Sequence, residues 1–594
     1  MTVNQLADFY TQRKLRFESS LDSVNKKINL ISNGRIAIAL LVILFFYLGY
    51  SNPTLFFIVP ALVVIFLFLV QQHSKFFAEK VHLENLVKIN ANEIGLLKGN
   101  AGTQSAGTEF IDPLHPYSHD LDLFGEGSLF QYANRCNTLG GRKKFAAGLT
   151  TSLSTAEEIL SQQQAIQELT PLTDFQQHLQ AGGMEIPELP SDRAQLQQWA
   201  KQPSFLFGKK FYRYVLTVIP VLTVGSILTA FFIPEANIFA VGLALFQWAF
   251  LGFHIKKVNA FHNYISRKKN VLEKYAGLLA HLEKGEFKSS RLQRLRQDAQ
   301  EAGTSVKELS SLVNALDARM NFMMNLLVNS VLLYDLQCIY RLEKWKEKHG
   351  NKLERWLETV TEAEVVCSWA TFAYNHPEFT FAQIDNTFTL SAQALGHPMI
   401  RENCVTNDVL IGKDQRIQII TGANMAGKST FLRSIGVNLI LALAGAPVCA
   451  KNFQCSLIHL RTGMRAADSL KDHQSYFYAE LNRLKSIMDE LQRGRPLLIL
   501  LDEILKGTNS TDKLSGSIAL VKQLLPHPCL ALIATHDLAL GELEKSHPEA
   551  IRNFCFEATI ENDQLSFDYK LKSGLAQKMN ATFLMKKMGI IPGS

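Results

Sequence analysis

The sequence contains only eight cysteines in 594 residues, and none lies in a CxxC pair or in a Cys/His spacing typical of a metal site. Their scatter indicates buried, reduced thiols and gives no support to a disulfide framework. Charged residues are also scarce, at 19% of the chain, whereas apolar residues make up 47%, which excludes a wholly disordered chain. The net charge of +7 is small for this length and is compatible with either anionic lipid or nucleic acid.

Charge is absent altogether from four apolar segments, which form two closely spaced pairs. The segments are 36–50, 54–70, 214–233 and 238–253. A membrane-spanning helix needs about 20 apolar residues, with a lower limit of about 17, and the segments reach this length alone or with their flanks. We therefore predict two transmembrane helical hairpins, at 36–75 and 211–256. The alternative, a set of buried core helices, is disfavoured because a core helix rarely lacks a polar face for so long.

The two short loops that connect these segments, 51–53 and 234–237, contain no lysine or arginine, whereas basic residues flank both hairpins. The flanking basic residues are Lys26, Lys27, Arg35, Lys75, Lys80, Lys209, Lys210, Arg213, Lys256, Lys257, Arg267, Lys268 and Lys269. By the positive-inside rule, everything except the two tips lies in the cytoplasm. This predicts a multi-pass protein of the inner (cytoplasmic) membrane, with the N-terminus and the C-terminal region in the cytoplasm.

The rest of the chain is too long for one compact domain and changes in pattern near residue 380. We predict a charged amphipathic helix at 1–35, a helix and a Gly/Ser/Thr-rich linker at 76–110, an all-α region at 111–210 and 257–378, and an α/β domain at 379–594. Long amphipathic stretches indicate extended helices in the all-α region. Beyond residue 380, short apolar runs alternate with helical patterns, as expected for a mostly parallel sheet.

The stretch TGANMAGKST at 421–430 matches the phosphate-loop pattern G-x-x-x-x-G-K-[ST] between a predicted strand and a predicted helix. Backbone N–H groups of such a loop, together with the helix N-terminus, favour phosphate. Lys428 would reach the β- and γ-phosphates, and the Ser429 hydroxyl would bind Mg²⁺. The predicted ATP-binding residues are Gly422, Ala423, Asn424, Met425, Ala426, Gly427, Lys428, Ser429 and Thr430.

Two more predicted strands end in polar residues that suit the same chemistry. The run 497–501 leads directly into Asp502 and Glu503, and the run 530–534 leads to His536. Asp502 would hold Mg²⁺ with Ser429, and Glu503 would polarise the attacking water as general base. A neutral imidazole at His536 could sense the γ-phosphate by hydrogen bonding. Together these features predict an ABC-like P-loop ATPase with ATP and Mg²⁺ as cofactors and with Lys428, Glu503 and His536 as catalytic residues.

The stretches around these motifs resemble the MutS family of DNA mismatch-repair ATPases. The similar stretches are 421–450 with Asn424-Met425 inside the loop, 497–520, 534–540, 565–590, and 121–169 at the start of the family's helical core, or lever. The resemblance covers roughly residues 111–205 and 256–594, so that the second hairpin interrupts the lever. Ahead of the core, the first hairpin, the linker and the charged helix occupy the place of the family's mismatch-reading domain. The resemblance is thus to a membrane-anchored member that lacks this domain.

The resemblance implies a homodimer with composite ATP sites, in which each ATPase domain offers a signature segment to the nucleotide of its partner. That segment corresponds to 464–481 here, with Ser475 as the candidate for γ-phosphate contact in trans and Glu480 also in place. The alternative role for Ser475 is that of a helix N-cap. The family's glycine two residues before this serine is His473 here, which places a side chain where backbone would approach phosphate.

The predicted function is therefore a membrane-anchored MutS-like ATPase that couples ATP hydrolysis to DNA binding, in mismatch repair or on another DNA structure. Contacts to DNA phosphates would carry no sequence information. A basic cluster, Lys288, Arg291, Arg294 and Arg296, is either such a contact or a solvated helix face. One alternative function is an ATP-regulated membrane scaffold acting on a protein partner. Another is an ABC-type transporter, which is disfavoured because the apolar segments carry no charge.

Overall fold

The computed structural model describes residues 2–100, 102, 104–401, 403–412, 414–465, 476–506, 509–561 and 564–577. The chain is mostly helical up to residue 375 and has an α/β region at its C-terminal end. This architecture confirms the predicted order of an all-α part followed by an α/β part.

Two long helices, α1 (Val3–Ser51) and α2 (Ile58–Leu97), pack along each other and form the first hairpin. Thr2 starts α1 with a capping box, since its hydroxyl accepts from the Gln5 N–H and the Gln5 side chain accepts from the Thr2 N–H. Both helices continue without a break through the boundaries predicted at residues 35 and 75. The change from charged to apolar sequence alters the environment that the helix surface favours, but the helical backbone continues through it.

The ends of this hairpin that lie away from its connecting turn are fixed to the helical core by buried polar contacts. Glu93 of α2 forms a bidentate ion pair with Arg135, with one N–H···O distance of 3.0 Å, and also accepts from Asn375 at 2.8 Å. Tyr10 of α1 donates to the Asn375 carbonyl at 2.8 Å. Burial, and secondarily Glu93, raises the pKa of Tyr10, so the phenol stays protonated and remains a donor.

The helical core consists of two sets of helices with the second hairpin between them. The first set is α3 (Leu129–Ala133), α4 (Leu139–Thr150), α5 (Ala156–Leu169), α6 (Thr173–Met184) and α7 (Asp192–Lys201). The hairpin is α8 (Lys210–Ala230) and α9 (Ala236–Ile265). The second set is α10 (Lys269–Glu283), α11 (Ser290–Asp317), α12 (Phe322–Leu332), α13 (Tyr334–His349) and α14 (Leu353–Asn375). The buried helix α14 packs against α4, α5 and α11 and joins both sets.

Four helices, α1, α2 with its preceding turn, α8 and α9, are long and apolar enough to cross a membrane by length and composition. The apolar windows of α1 and α2 are not buried at all within the protein, and those of α8 and α9 are 17% buried. Large apolar side chains on these windows therefore face outward.

The α/β region contains twelve strands and four helices within the described residues. The strands are β1 (Thr380–Phe381), β2 (Gln383–Asp385), β3 (Thr389–Leu395), β4 (Asn407–Gly412), β5 (Ile417–Gly422), β6 (Pro447–Val448), β7 (Asn452–Ser456), β8 (His459–Gly463), β9 (Leu497–Asp502), β10 (Cys529–Thr535), β11 (Ile551–Glu561) and β12 (Gln564–Ser573). The helices are α15 (Lys428–Leu443), α16 (Tyr476–Gln492), α17 (Ser510–Leu524) and α18 (Leu543–Ser546).

The main sheet has the strand order β12-β11-β5-β10-β9-β8, and its neighbours are parallel except for β11 and β12. In register, Thr535 pairs with Thr421, and Ala534 pairs with Asp502. The carboxyl ends of β5, β10 and β9 therefore meet at one edge, which is where ligands bind in open α/β sheets. A smaller sheet, β2-β7-β3-β4, lies beside it.

Candidate functional site

The loop at 423–427 leaves the buried central strand β5 and enters α15 with backbone angles that favour glycine at both ends. Gly422 has φ 152°, and a Cβ there would lie 2.5 Å from the Phe556 carbonyl oxygen. Gly427, the residue before α15, has φ 102°, and a Cβ there would lie 3.1 Å from the Tyr569 ring. Between them, the Ala426 N–H donates to the Ala423 carbonyl, and Met425, with φ 68°, is exposed. The two glycines allow the tight loop that a phosphate requires.

Lys428, Ser429 and Thr430 form the first turn of α15, at the end of the helix that favours anions. The Lys428 ammonium is buried and donates to the carbonyls of Gly422 at 2.7 Å and Ala423 at 2.9 Å. Burial lowers the pKa of Lys428, although Glu503 and Asp502 act in the opposite direction. The lysine is thus held inside its own loop, where the negative charges of Glu503 and Asp502 act on its ammonium.

The Ser429 hydroxyl donates to Asp502 Oδ2 at 2.6 Å. Ser429 lies on α15 and Asp502 ends β9, so the parallel sheet brings together two residues that are 73 positions apart. One hydroxyl and one carboxylate oxygen are a donor set that suits Mg²⁺, which takes its remaining ligands from water and phosphate. The residues present therefore fit the predicted cation.

Glu503 follows Asp502 with φ 53°, and its N–H donates to the Ala534 carbonyl at 2.9 Å. Its carboxylate lies 3.4 Å from His536 Nδ1 and 3.9 Å from Lys506 Nζ. Burial by itself raises the pKa of Glu503, but Lys506, His536 and Lys428 outweigh it, so the pKa is lowered. The group is therefore ionised at neutral pH and suits the orientation and polarisation of a water molecule.

Glu480 of α16 holds the turn that follows Glu503. Its carboxylate accepts from the N–H groups of Leu505 at 2.5 Å and Lys506 at 3.2 Å. Burial raises the pKa of Glu480. This contact fixes the turn that brings Lys506 toward Glu503. The predicted trans residue Ser475, and His473 before it, lie outside the described residues.

The chain matches known proteins in this same region. Residues 418–592 match the family model of MutS domain V. The C-terminal region is therefore similar to MutS domain V. In the MutS family this domain is of the P-loop ATPase type, which agrees with the sheet, the loop and the strand-end acids described above.

Three relatives are DNA mismatch repair proteins MutS. The chain is 30% identical over 250 residues to that of Thermotoga sp. (strain RQ2), with 41% of this chain and 31% of the relative covered. It is 33% identical over 238 residues to that of Orientia tsutsugamushi (strain Ikeda), with 38% of this chain and 26% of the relative covered. It is 32% identical over 249 residues to that of Myxococcus xanthus (strain DK1622), with 40% of this chain and 27% of the relative covered. The chain thus spans less than a third of the length of these relatives.

The phosphate loop opens into a cavity of about 430 Å³, and the residues on the far wall of this cavity were not predicted from the sequence. Besides the loop and Glu503, its lining includes His397, Cys404, Asn407 and Tyr569. Burial lowers the pKa of His397 to about 4, so its ring is neutral at pH 7. These residues come from the β3–β4 segment and from β12, and they meet the loop only in the folded domain. No local motif marks them.

Cys404, in the wall of this cavity, provides a chemical test of the nucleotide site. The Cys449 thiol donates to the Cys404 sulfur and lowers the pKa of the half-exposed Cys404 to about 6, whereas that of Cys449 is raised. At pH 7 most of Cys404 is then thiolate, the reactive form. We expect iodoacetamide to alkylate Cys404 before the other cysteines, at a rate that falls below pH 6, and we expect ATP to slow the reaction.

Peptide mass mapping over a time course measures this order, and the Cys404→Ser variant serves as its control because it removes the early modification. First labelling at one of the buried cysteines, or a Cys404 rate that saturating ATP leaves unchanged, would contradict the assignment of this cavity.

The start of the helical core contacts the α/β region through two aspartates. Asp120 is fully buried and accepts from Arg483 at 2.9 Å and from the Thr462 hydroxyl at 2.6 Å. Asp122 pairs with Arg465 at 2.6 Å and with Arg433 of α15 at 3.1 Å. The helix that begins at the phosphate loop is therefore tied directly to the core.

Three of the four residues of the basic cluster predicted as a possible phosphate contact lie on α11, and Lys288 precedes it. Arg291 and Arg294 lie 3.4 Å and 2.8 Å from the Glu362 carboxylate, and Arg296 donates to the Glu283 carbonyl. Burial lowers the pKa of Arg291. These contacts favour a structural role in the packing of α11 against α14.

Proposed function

We propose that this protein is a membrane-anchored MutS-like ATPase, which hydrolyses ATP at composite sites in a homodimer and couples this to DNA binding. The observation that carries the proposal is the contact of Ser429 with Asp502, beside Glu503 and His536, within a MutS domain V. The first turn of α15 and the ends of β9 and β10 supply these groups, and a structural role alone does not account for their convergence around a phosphate loop.

Each side chain has a defined task in hydrolysis. Mg²⁺, bound with ATP, supplies positive charge at the phosphates, and Ser429 and Asp502 would hold it. Lys428 leaves the carbonyls of Gly422 and Ala423 and places its ammonium on the phosphates. Glu503, kept ionised by Lys506 and His536, orients and polarises water. His536, whose Nδ1 lies 3.4 Å from Glu503 Oε1, would respond to the γ-phosphate.

The membrane anchor is supported by the four apolar helices and by the charges at their ends. The apolar windows of α1 and α2 are 0% buried within the protein, so burial in lipid would remove them from water. In the second hairpin, the Gln247 side chain is buried and donates to the Thr223 hydroxyl at 2.7 Å. This pair joins α8 to α9, as polar side chains do in membrane helix pairs, and does not line a transport pathway.

The experiment that tests DNA coupling is binding of the full-length protein, in nanodiscs, to homoduplex, mismatched and branched DNA at several salt concentrations, with and without ATP. We expect an affinity that falls as salt rises, because phosphate contacts release counterions, and an ATPase rate that DNA changes. Binding that is no tighter at low salt, together with an ATPase rate that DNA leaves unchanged, would contradict the DNA function.

A second candidate function is an ATP-regulated membrane scaffold for a protein partner. The pairing of Arg291 and Arg294 with Glu362 favours it, because these arginines are then less available to phosphate. Under this function the same binding experiment gives no DNA affinity, while ATP turnover persists.

A further inference from the structure

Helix α12 is an uncharged apolar helix that lies outside the four candidate spans. Its sequence is FMMNLLVNSVL, and no charged residue occurs between Arg319 and Asp335. With 11 residues it is about 16 Å long, roughly half of the ~30 Å hydrocarbon thickness of a bilayer. An apolar segment of this length is either a core helix or a helix that enters the membrane without crossing it.

The contacts of α12 place it against the second hairpin. The Trp248 indole N–H of α9 donates to the Ser330 hydroxyl at 2.7 Å, and Gln337, just beyond α12, donates to the Leu216 carbonyl of α8. Trp248 lies eight residues, or about 12 Å, further into the apolar part of α9 than Lys256. Ser330 is therefore held at the level of the apolar part of the hairpin.

The chain enters and leaves this level on the cytoplasmic side. Arg319, before α12, forms a buried ion pair with Asp335, after it, at 2.8 Å. Arg319 also donates to Asn259 at 2.9 Å, and Asn259 follows Lys256 toward the cytoplasm. The buried Arg319–Asp335 pair thus joins the two ends of the segment that contains α12, beside the basic end of α9.

Some side chains of α12 are buried against the rest of the protein, and others are exposed on its surface. Asn329 is buried, accepts from the Asp335 N–H and donates to Asn325. Leu326 and Leu327 are exposed, Leu327 at 58%, next to the exposed apolar faces of α8 and α9. The polar atoms are satisfied inside while leucines face outward, which is the pattern that lipid requires.

We propose that α12 is a re-entrant helix seated in the cytoplasmic leaflet, with Leu326 and Leu327 against lipid hydrocarbon. The proposal rests on the proposed membrane anchor. Lipid is the occupant because the leucines continue the outward faces of α8 and α9, which the anchor already places in the bilayer. Since α12 joins α11 to α13, the core then contacts the membrane through its own helices as well as through the hairpin.

Nitroxide labels report this placement in full-length protein reconstituted in liposomes. In a background that carries Cys404→Ser, cysteines for labelling replace Leu327 on α12, Leu222 on α8 as the lipid reference, and Leu189 as the exposed cytoplasmic reference. Collision with oxygen and with a water-soluble nickel complex is measured by electron paramagnetic resonance. We expect Leu327→Cys to give an oxygen-to-nickel ratio severalfold above that of Leu189→Cys and close to that of Leu222→Cys.

A Leu327 ratio equal to that of Leu189, with Leu222 in lipid, overturns the inference and leaves the anchor standing. Low collision with both reagents at Leu327 shows that a second copy of the chain covers it, which also overturns the inference. An aqueous ratio at Leu222 contradicts the membrane anchor itself.

Discussion

Replacing Glu503 by Gln lowers ATP turnover by about 10²–10⁴-fold, the range that a positioned general base contributes, while ATP still binds. The amide keeps the size of the side chain and its contact with His536, but it removes the negative charge that polarises water. The phosphate loop, Lys428 and the Ser429–Asp502 contact stay in place, and these bind the nucleotide. The measurement is steady-state phosphate release alongside equilibrium binding of a fluorescent ATP analogue.

Two further variants separate catalysis from folding. Lys428→Ala removes the ammonium that neutralises the phosphates, and we expect it to lose nucleotide affinity as well as turnover. Glu542→Gln alters an exposed carboxylate of the same domain, paired only with the exposed Lys545, and we expect wild-type turnover. If Glu503→Gln hydrolyses ATP at the wild-type rate, the assignment of this site as an ATPase centre is wrong.

The parts of the site that could be predicted are those encoded by local patterns. A phosphate loop, a buried strand and an acid pair each occupy fewer than ten consecutive residues, and parallel strands bring their carboxyl ends to one edge. Strands β5, β9 and β10 confirm those expectations within one or two residues. The far wall of the cavity could not be predicted, because His397 and Tyr569 reach the phosphate loop only through tertiary folding.

In the helical part of the chain, the boundaries and the tertiary contacts of the helices could not be predicted from the sequence. The change from a charged to an apolar pattern near residue 35 reflects the surroundings of α1, and the helix itself does not end there. Helix α12 could not be distinguished from a core helix, because its eleven residues, uncharged and mostly apolar, fall below the length of a span. Buried pairs such as Glu93 with Arg135, which join residues distant in the chain, leave no sequence pattern at all.

Asp120→Asn is expected to destabilise the junction between the helical core and the α/β region by about 3–5 kcal/mol, the range for breaking a buried ion pair. Asp120 accepts from Arg483 and Thr462 and, through both oxygens, from the N–H groups of Met464 and Arg465. An amide leaves Arg483 with less compensating charge and turns an NH₂ group toward donors. Hydrogen exchange of β8 and α16 measures the loss, since both flank this carboxylate.

The matched control is Asp122→Asn, two residues away. The Asp122 side chain is 45% exposed, so its pairs with Arg433 and Arg465 are screened by solvent, and we expect a loss below about 1 kcal/mol. Equal losses of stability in the two variants would show that the greater burial of Asp120 does not make its contacts more stabilising than those of Asp122. If instead Asp120→Asn alone loosens β8 and α16 while basal ATP turnover persists, the buried carboxylate is the contact that holds the α/β region on the helical core.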